Sequence, residues 1–273
     1  MTLLIVLLSL AYFFALFRES RQVREARRQL LHVVHVNGTR GKSTTCRLID
    51  AGLRAGGLGV FCKTTGTDPM TIDVNNAEQP IVRRGKANIK EQIGILKRAA
   101  GQGAQVLVVE CMAIQPELQH TAQHRILQAD VGVITNVRRD HTDVMGQTLQ
   151  EICTALCCTV PRRGVLFTAE DGRRAEQMAA AARKLESEFV SVRPRGDEPE
   201  FDFAENIALA LSVCQWLGVD RETALAGMSH YKRDPYALTL YRLGESMWIN
   251  GLSINDLQST CMVWRQIAEK YRL

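Results

Sequence analysis

His35-Val36-Asn37-Gly38-Thr39-Arg40-Gly41-Lys42-Ser43-Thr44-Thr45 decides how this chain folds. The apolar run His32–Val36 ahead of the glycines reads as a short buried strand, and Thr44–Arg54 behind them reads as a helix. Strand, glycine turn and helix in that order form the context of a phosphate-binding loop. Backbone N–H groups at the turn and the helix start cradle phosphate oxygens. Lys42 is placed to reach the β/γ-phosphates and Ser43 to put its hydroxyl on Mg²⁺. The common G-x-x-x-x-G-K-[ST] pattern has a glycine where this chain has Val36. What remains is the shorter G-T-x-G-K-S form, which belongs to ligases more than to GTPases or motor ATPases.

Two further apolar runs, Val106–Val109 and Val131–Thr135, read as strands parallel to the first, with helices such as Ile89–Ala100 between them. That alternation predicts an α/β fold with a mostly parallel sheet covered on both faces. Ligands of such sheets bind beyond the carboxyl ends of the strands. Those ends carry the glycine loop, then Glu110-Cys111-Met112-Ala113, then Asn136-Val137-Arg138-Arg139-Asp140-His141-Thr142-Asp143. Phosphate-binding and metal-competent groups therefore converge in the sequence reading.

Residues 1–17 carry no charge, and at ~1.5 Å per residue they span roughly 25 Å, the short end for a bilayer. Arg18, Arg21, Arg24, Arg27 and Arg28 follow, against Glu19 and Glu25. A cleaved signal peptide places its basic residues before the apolar run and a small-residue cleavage site after it, and neither is present. The expectation is a single-pass anchor in the cell membrane (1–17), a basic juxtamembrane linker (18–31) and a body kept in the cytoplasm. The arginine segment supplies about three of the net charge of +5, leaving a body too balanced for a nucleic-acid binder. The eight cysteines lack paired metal-ligand spacing and mostly sit in apolar surroundings, as reduced thiols do.

Beyond Gly146 the pattern runs helix (Leu149–Thr159), strand (Gly164–Thr168), helix (Gly172–Leu185), polar loop (Arg193–Glu200) and two helices (Phe203–Leu217, Arg221–Met228). Asp234-Pro235 then breaks the chain before two strand-like runs, Leu238–Leu243 and Ser246–Asn250. The expected division is a central ATP-binding domain over 32–233 and the start of another over 234–273.

Four motifs together, Asn37–Thr44, Lys63–Asp68, Glu110–Ala113 and Asn136–Gly146, resemble the catalytic subunit of bacterial poly-γ-glutamate synthase, a capsule-type branch of the Mur ligase superfamily. The likeness runs from the N-terminal segment to Ile267. The loop and the Asp-His segment are shared with Mur ligases generally, whereas Lys63–Asp68 and Glu110–Ala113 are specific to this branch. The resemblance implies ATP- and Mg²⁺-dependent amide ligation: a carboxylate attacks the γ-phosphate, and an amine then displaces phosphate from the acyl phosphate. It implies glutamate and a poly-γ-glutamate acceptor as substrates, and membrane partners in a synthase complex.

Carried onto this chain, the resemblance makes Lys42, Glu110 and His141 catalytic, with Ser43, Glu110 and His141 as metal ligands. The nucleotide side comprises Asn37, Gly38, Thr39, Arg40, Gly41, Lys42, Ser43 and Thr44, with Asn136, and with Asn206 as a helix-borne contact to adenine. Asp140 stands beside Asn136, behind the metal or on the nucleotide side. The segment with Lys63, Thr65, Thr67 and Asp68 either binds substrate carboxylates or is a hydrogen-bonded turn. Arg83, Arg84 and Lys86 either face a polyanionic acceptor or belong to a solvated loop. Family members continue into a complete Rossmann-like third lobe, which this chain only begins, with Asn250 and Asn255 near its hinge and Pro235-Tyr236 where proline-glycine is expected. Three readings stay open: the poly-γ-glutamate ligase, a folate or cell-wall ligase of the same superfamily, and a truncated nucleotide-binding remnant serving as a scaffold.

Overall fold

The computed structural model describes residues 2–66, 68–83, 85–198, 203–234, 237, 239–244, 246–251 and 257–271. Thr67, Arg84, Pro235, Tyr236 and Asn255, on which expectations were placed, lie outside the described residues. The chain divides into two units, Met1–Tyr231 and Lys232–Leu273.

The first unit opens with helix α1 (Thr2–Gln29), followed by β1 (His32–Asn37), α2 (Lys42–Ala55), β2 (Val60–Thr64), β3 (Met70–Ile72), β4 (Glu78–Pro80) and α3 (Glu91–Gly101). Next come β5 (Val106–Glu110), α4 (Pro116–Thr121) with a π-helical turn at Ala122–Leu127, β6 (Val131–Ile134), α5 (Thr142–Met145) and α6 (Leu149–Leu156). The unit closes with β7 (Val165–Thr168), α7 (Gly172–Lys184), β8 (Glu188–Ser191), α8 (Ala204–Trp216) and α9 (Arg221–Met228). Local chemistry fixes several of these ends. Thr148 and Glu151 form a reciprocal capping box at α6, and the Asp220 side chain caps α9 by accepting from Thr223 N.

The eight strands form one sheet in the order β4-β3-β2-β5-β1-β6-β7-β8. From β2 to β8 all pairings are parallel, and β3 and β4 add an antiparallel edge. Alternate residues of the strands serve opposite faces. Val34 and Val36 pack with Leu48, Ile49 and Leu53 of α2 and with α8 and α9. Val33, Leu107 and Val109 pack with Leu96 and Ala99 of α3 and with Ile126 and Leu127. A third cluster seats α6 and α7 on Ile134 and Leu166. Both faces are thus covered, as a parallel sheet requires. In the sheet β1 lies between β5 and β6, and Val36 stands opposite Glu110 while Asn37 stands opposite Ile134. Three strand ends therefore finish level with one another, where the chain order reverses and a crevice opens.

The apolar part of α1 exposes its side chains from Leu3 to Phe17, and the helix is long and apolar enough to cross a membrane by length and composition. Residues 18–29, expected as a linker, continue the same helix, because this stretch has its own packing surface. Val23, Ala26 and Leu30 are buried in the α3 cluster, and Lys97 Nζ donates to Gln22 Oε1 at 2.6 Å. Arg27 pairs with Asp130 at 2.9 Å and also donates to the carbonyl of Gln128. The second unit consists of an antiparallel hairpin, β9 (Thr239–Leu243) with β10 (Ser246–Asn250), and α10 (Leu257–Tyr271).

Candidate functional site

The glycine loop between β1 and α2 is held in shape by the segment that follows β6. Thr39 N donates to Asn136 O at 3.1 Å, and the Thr39 hydroxyl donates to the same carbonyl at 3.0 Å. Arg138 N donates to Thr39 Oγ1 at 2.7 Å. Asn136 spends both ends of its amide on Arg40, accepting from Arg40 N and donating to Arg40 O, each at 3.0 Å. Thr135 Oγ1 donates to that Arg40 carbonyl at 2.6 Å. Asn136 thus meets the loop backbone with both functional groups. Asp140 lies 3.6 Å from the Arg40 guanidinium.

Two glycines are required by this packing. Gly38 has φ +127°, and a Cβ there would stand 2.1 Å from Thr135 Oγ1. Gly41 has φ +80°, and its Cβ would stand 2.7 Å from Asn206 Oδ1. Asn206 is accordingly no surface amide: it is buried on α8 against the loop, with the Thr45 hydroxyl at 3.5 Å. Asn37 directs its amide toward Gln119 at 2.8 Å and Thr159 at 3.2 Å. Thr44 is half-buried in the first turn of α2, where N–H groups lack intrahelical acceptors.

The polar centre joins the ends of β1, β2 and β5. Ser43 Oγ donates to Glu110 Oε2 at 2.8 Å, and Thr65 N donates to the same oxygen at 2.6 Å. Lys42 Nζ rests on the carbonyls of Gly38 and Thr39 at 2.9 and 3.3 Å. A cavity of about 300 Å³ opens over this centre, and Lys42, Glu110, Thr65, Asp140 and His141 all line it. His141 caps α5 in the left-handed region (φ +46°), half-exposed, with Nε2 3.9 Å from Asp140 Oδ2. Cys111 also borders the cavity, but burial pushes its thiol up to about 11 and it donates to Ala113 O, so it stays protonated. Among the described residues no group of three or more His, Cys, Asp or Glu side chains is arranged to hold a metal ion. The oxygen donors Ser43 and Glu110 instead fit Mg²⁺ carried by a nucleotide, which needs one or two protein oxygens besides phosphate.

The expected substrate segment is divided. Lys63 is fully buried at the end of β2, and its ammonium pairs with Glu91 at 3.0 Å and touches Met112 Sδ at 3.5 Å. Its charge is thus turned to Glu91 inside the protein and not into the cavity. Burial lowers its pKa, and Glu91 opposes that. Glu91 is pushed up by burial but held below the usual carboxylate range by Arg83 and Lys63 together. Thr65 contributes its backbone N–H, and Asp68 is exposed. Glu91 and Gln92, which donates to Glu110 O at 3.3 Å, have no local signal beyond a polar helix start.

A P-loop on a parallel sheet, backed by a strand-end glutamate, defines a nucleotide-binding α/β domain. Residues 36–214 match the Mur ligase middle domain, and the chain belongs to the Mur ligase superfamily. It is 37% identical over 254 residues to the capsule biosynthesis protein CapB of Bacillus anthracis, covering 86% of this chain and 53% of that protein. It is 36% identical over 249 residues to the PGA synthase CapB of Bacillus subtilis strain 168, covering 86% and 63%. The chain thus spans between about half and two thirds of the length of these relatives. A solved FPGS–AMPPCP complex superposes with a TM-score of 0.68 at 15% identity, over 92% of this chain and 76% of that one. A bifunctional folylpolyglutamate synthase/dihydrofolate synthase from Yersinia pestis, complexed with AMPPNP and Mn ion, gives 0.66 at 18%, over 92% and 70%. These structural likenesses show the fold.

Proposed function

We propose that this chain is an ATP-dependent amide ligase that extends poly-γ-glutamate, anchored in the cell membrane by α1 with its body in the cytoplasm. The single observation that carries the reading is the Ser43–Glu110 contact at 2.8 Å, with Glu110 and Lys42 lining one cavity. It brings together the parts that phosphoryl transfer to a carboxylate needs. The capsule and PGA synthase relatives supply the substrate class.

In this reading Lys42 turns from the loop carbonyls to the β/γ-phosphates, while the first turn of α2 supplies N–H donors to them. Ser43, the Glu110 oxygen Oε1 that takes neither of the two bonds, and His141 across the cavity would hold Mg²⁺. Bound there, the ion screens phosphate charge and polarises the transferring group. Asn206 fixes the Gly41 turn and faces the adenine side; Asn136 keeps Thr39 and Arg40 in the phosphate-binding shape. A glutamate carboxylate takes the γ-phosphoryl group, and the amine of the next glutamate displaces phosphate. The protonated Cys111 offers no competing nucleophile. Membrane subunits of a synthase complex are the proposed partners.

The test supplies membranes containing this chain and its membrane partners with labelled glutamate and ATP. ADP and a polymer resistant to ordinary peptidases are expected together. Lys42→Ala and Ser43→Ala should each abolish both and weaken Mg·ATP binding by about tenfold or more. Nucleotide binding without either product would leave a binding subunit and refute the ligase.

A further inference from the structure

We propose that Arg83 is the receptor for a substrate carboxylate, the one that stays unreacted on the glutamyl acceptor; this rests on the ligase reading. Lys42 and Arg83 are the two Lys or Arg side chains among the described residues lining the cavity. Lys42 belongs to the phosphate loop, so Arg83 is the cation left for the other substrate.

Arg83 is already oriented. Its Nε donates to Glu91 Oε2 at 2.7 Å and its Nη2 to Glu91 Oε1 at 3.1 Å. A guanidinium has five N–H donors, and this side-on pairing uses two of them. The remaining edge, formed by Nη1 and the second hydrogen of Nη2, matches the two oxygens of another carboxylate. The carboxylate of Glu91 is shared by Arg83 and by Lys63, whose ammonium is fully buried and is also stabilised by the nearby Glu110 carboxylate. Lys63 is held away from the cavity, and Arg83 is the partner that reaches it, about a quarter exposed. Glu91 cannot leave Lys63 without weakening that buried pair, so it is divided between the two cations and not given over to Arg83. A carboxylate-bearing chain completes the set, and a γ-linked glutamyl polymer carries one free carboxylate per residue.

The test titrates the full chain in detergent, loaded with Mg·AMPPNP, with γ-linked triglutamate by calorimetry. Arg83→Gln should weaken the oligomer about tenfold or more and change Mg·AMPPNP affinity less than about threefold. Arg83→Lys, which keeps the charge but loses the fork, should fall between. Oligomer amidated at its α-carboxylates should bind the wild type as weakly as the acid form binds Arg83→Gln. That arm needs no variant, and the nucleotide affinity reports whether each variant has folded. No oligomer binding by the wild type, equal binding by Arg83→Gln, or an equal loss of nucleotide binding would overturn the assignment. Arg83-dependent oligomer binding without ADP or amide product would keep the carboxylate site and remove the ligase. Product formation with an unchanged acceptor KM in Arg83→Gln would do the reverse.

Discussion

Replacing Gly38 by alanine places a methyl group 2.1 Å from Thr135 Oγ1 and 2.9 Å from Thr135 N, at a φ of +127°. Two costs add. A side chain in that backbone region costs on the order of 1–3 kcal/mol. The steric overlap costs another ~1–3 kcal/mol, typical of an overpacked site. Thr135 cannot easily yield, because its hydroxyl donates to Arg40 O at 2.6 Å and its N–H to Asn37 O at 2.9 Å. The combined loss of about 2–6 kcal/mol must surface as reduced stability if the loop keeps its shape, or as reduced nucleotide affinity if it yields. Even the lower end is about thirtyfold in an equilibrium constant. Urea unfolding and calorimetry with Mg·ATP, on Gly38→Ala, Thr135→Ala and the pair, measure both channels. Removing Oγ1 should relieve part of the clash, so the double variant should be better than additive by ~0.5–3 kcal/mol. Strict additivity, or a Gly38→Ala protein that unfolds and binds like the wild type, would refute this account of the loop.

Glu91→Gln strands the buried Lys63 ammonium and should destabilise by about 3–5 kcal/mol, with Lys63→Met recovering part in the double variant; a urea-midpoint change worth less than about 1 kcal/mol counts against the pair. His35 is fully buried with Nδ1 2.8 Å from Gln123 Oε1, and burial, with smaller contributions from Lys63 and His124, lowers its pKa to about 4. Between the unfolded value of about 6.5 and that one, the unfolded chain binds more protons than the native one, so stability is full above pH ~6.5 and falls on acidification, by at most about 3 kcal/mol. His35→Gln should flatten the acid limb of a melting-temperature profile; an unchanged slope removes His35 as its cause. Protease added to spheroplasts should spare the body of the chain, and its digestion from outside would reverse the proposed orientation.

The parts of the fold that local pattern encodes could be read in advance: the strand–glycine–helix run at His32–Arg54, and the valine-rich β5 and β6. The antiparallel edge could not. Met70–Ile72 and Glu78–Pro80 are three residues each, too short to show an alternating pattern, and they become strands by pairing with β2 and with each other. At the candidate site, Lys42, Ser43 and Glu110 were legible because Glu110 closes a strand and Lys42 and Ser43 open the helix that follows another. The work of Asn136 was not, since its partner Arg40 is 96 residues away. Lys63 illustrates the same limit: its motif marks it as special, but its carboxylate partner Glu91 lies on a separate helix 28 residues away, which no local pattern signals.

The docking of α1 on α3 has a consequence for where chemistry occurs. Gln22 is joined to Lys97 at 2.6 Å, and Leu31 N donates to Gln105 O at 2.9 Å, so the two segments run side by side in the same direction. Glu91, beside the cavity, lies roughly 9 Å back along α3 from Lys97 at ~1.5 Å per residue. The same climb along α1 from Gln22 arrives at Leu16, just where the uncharged residues give way to Arg18. On the proposed anchoring of α1 in a bilayer, the cavity would stand near the level of the lipid headgroups, and the unbroken helix would hold it there. Under the proposed function, product would then be released at the membrane surface.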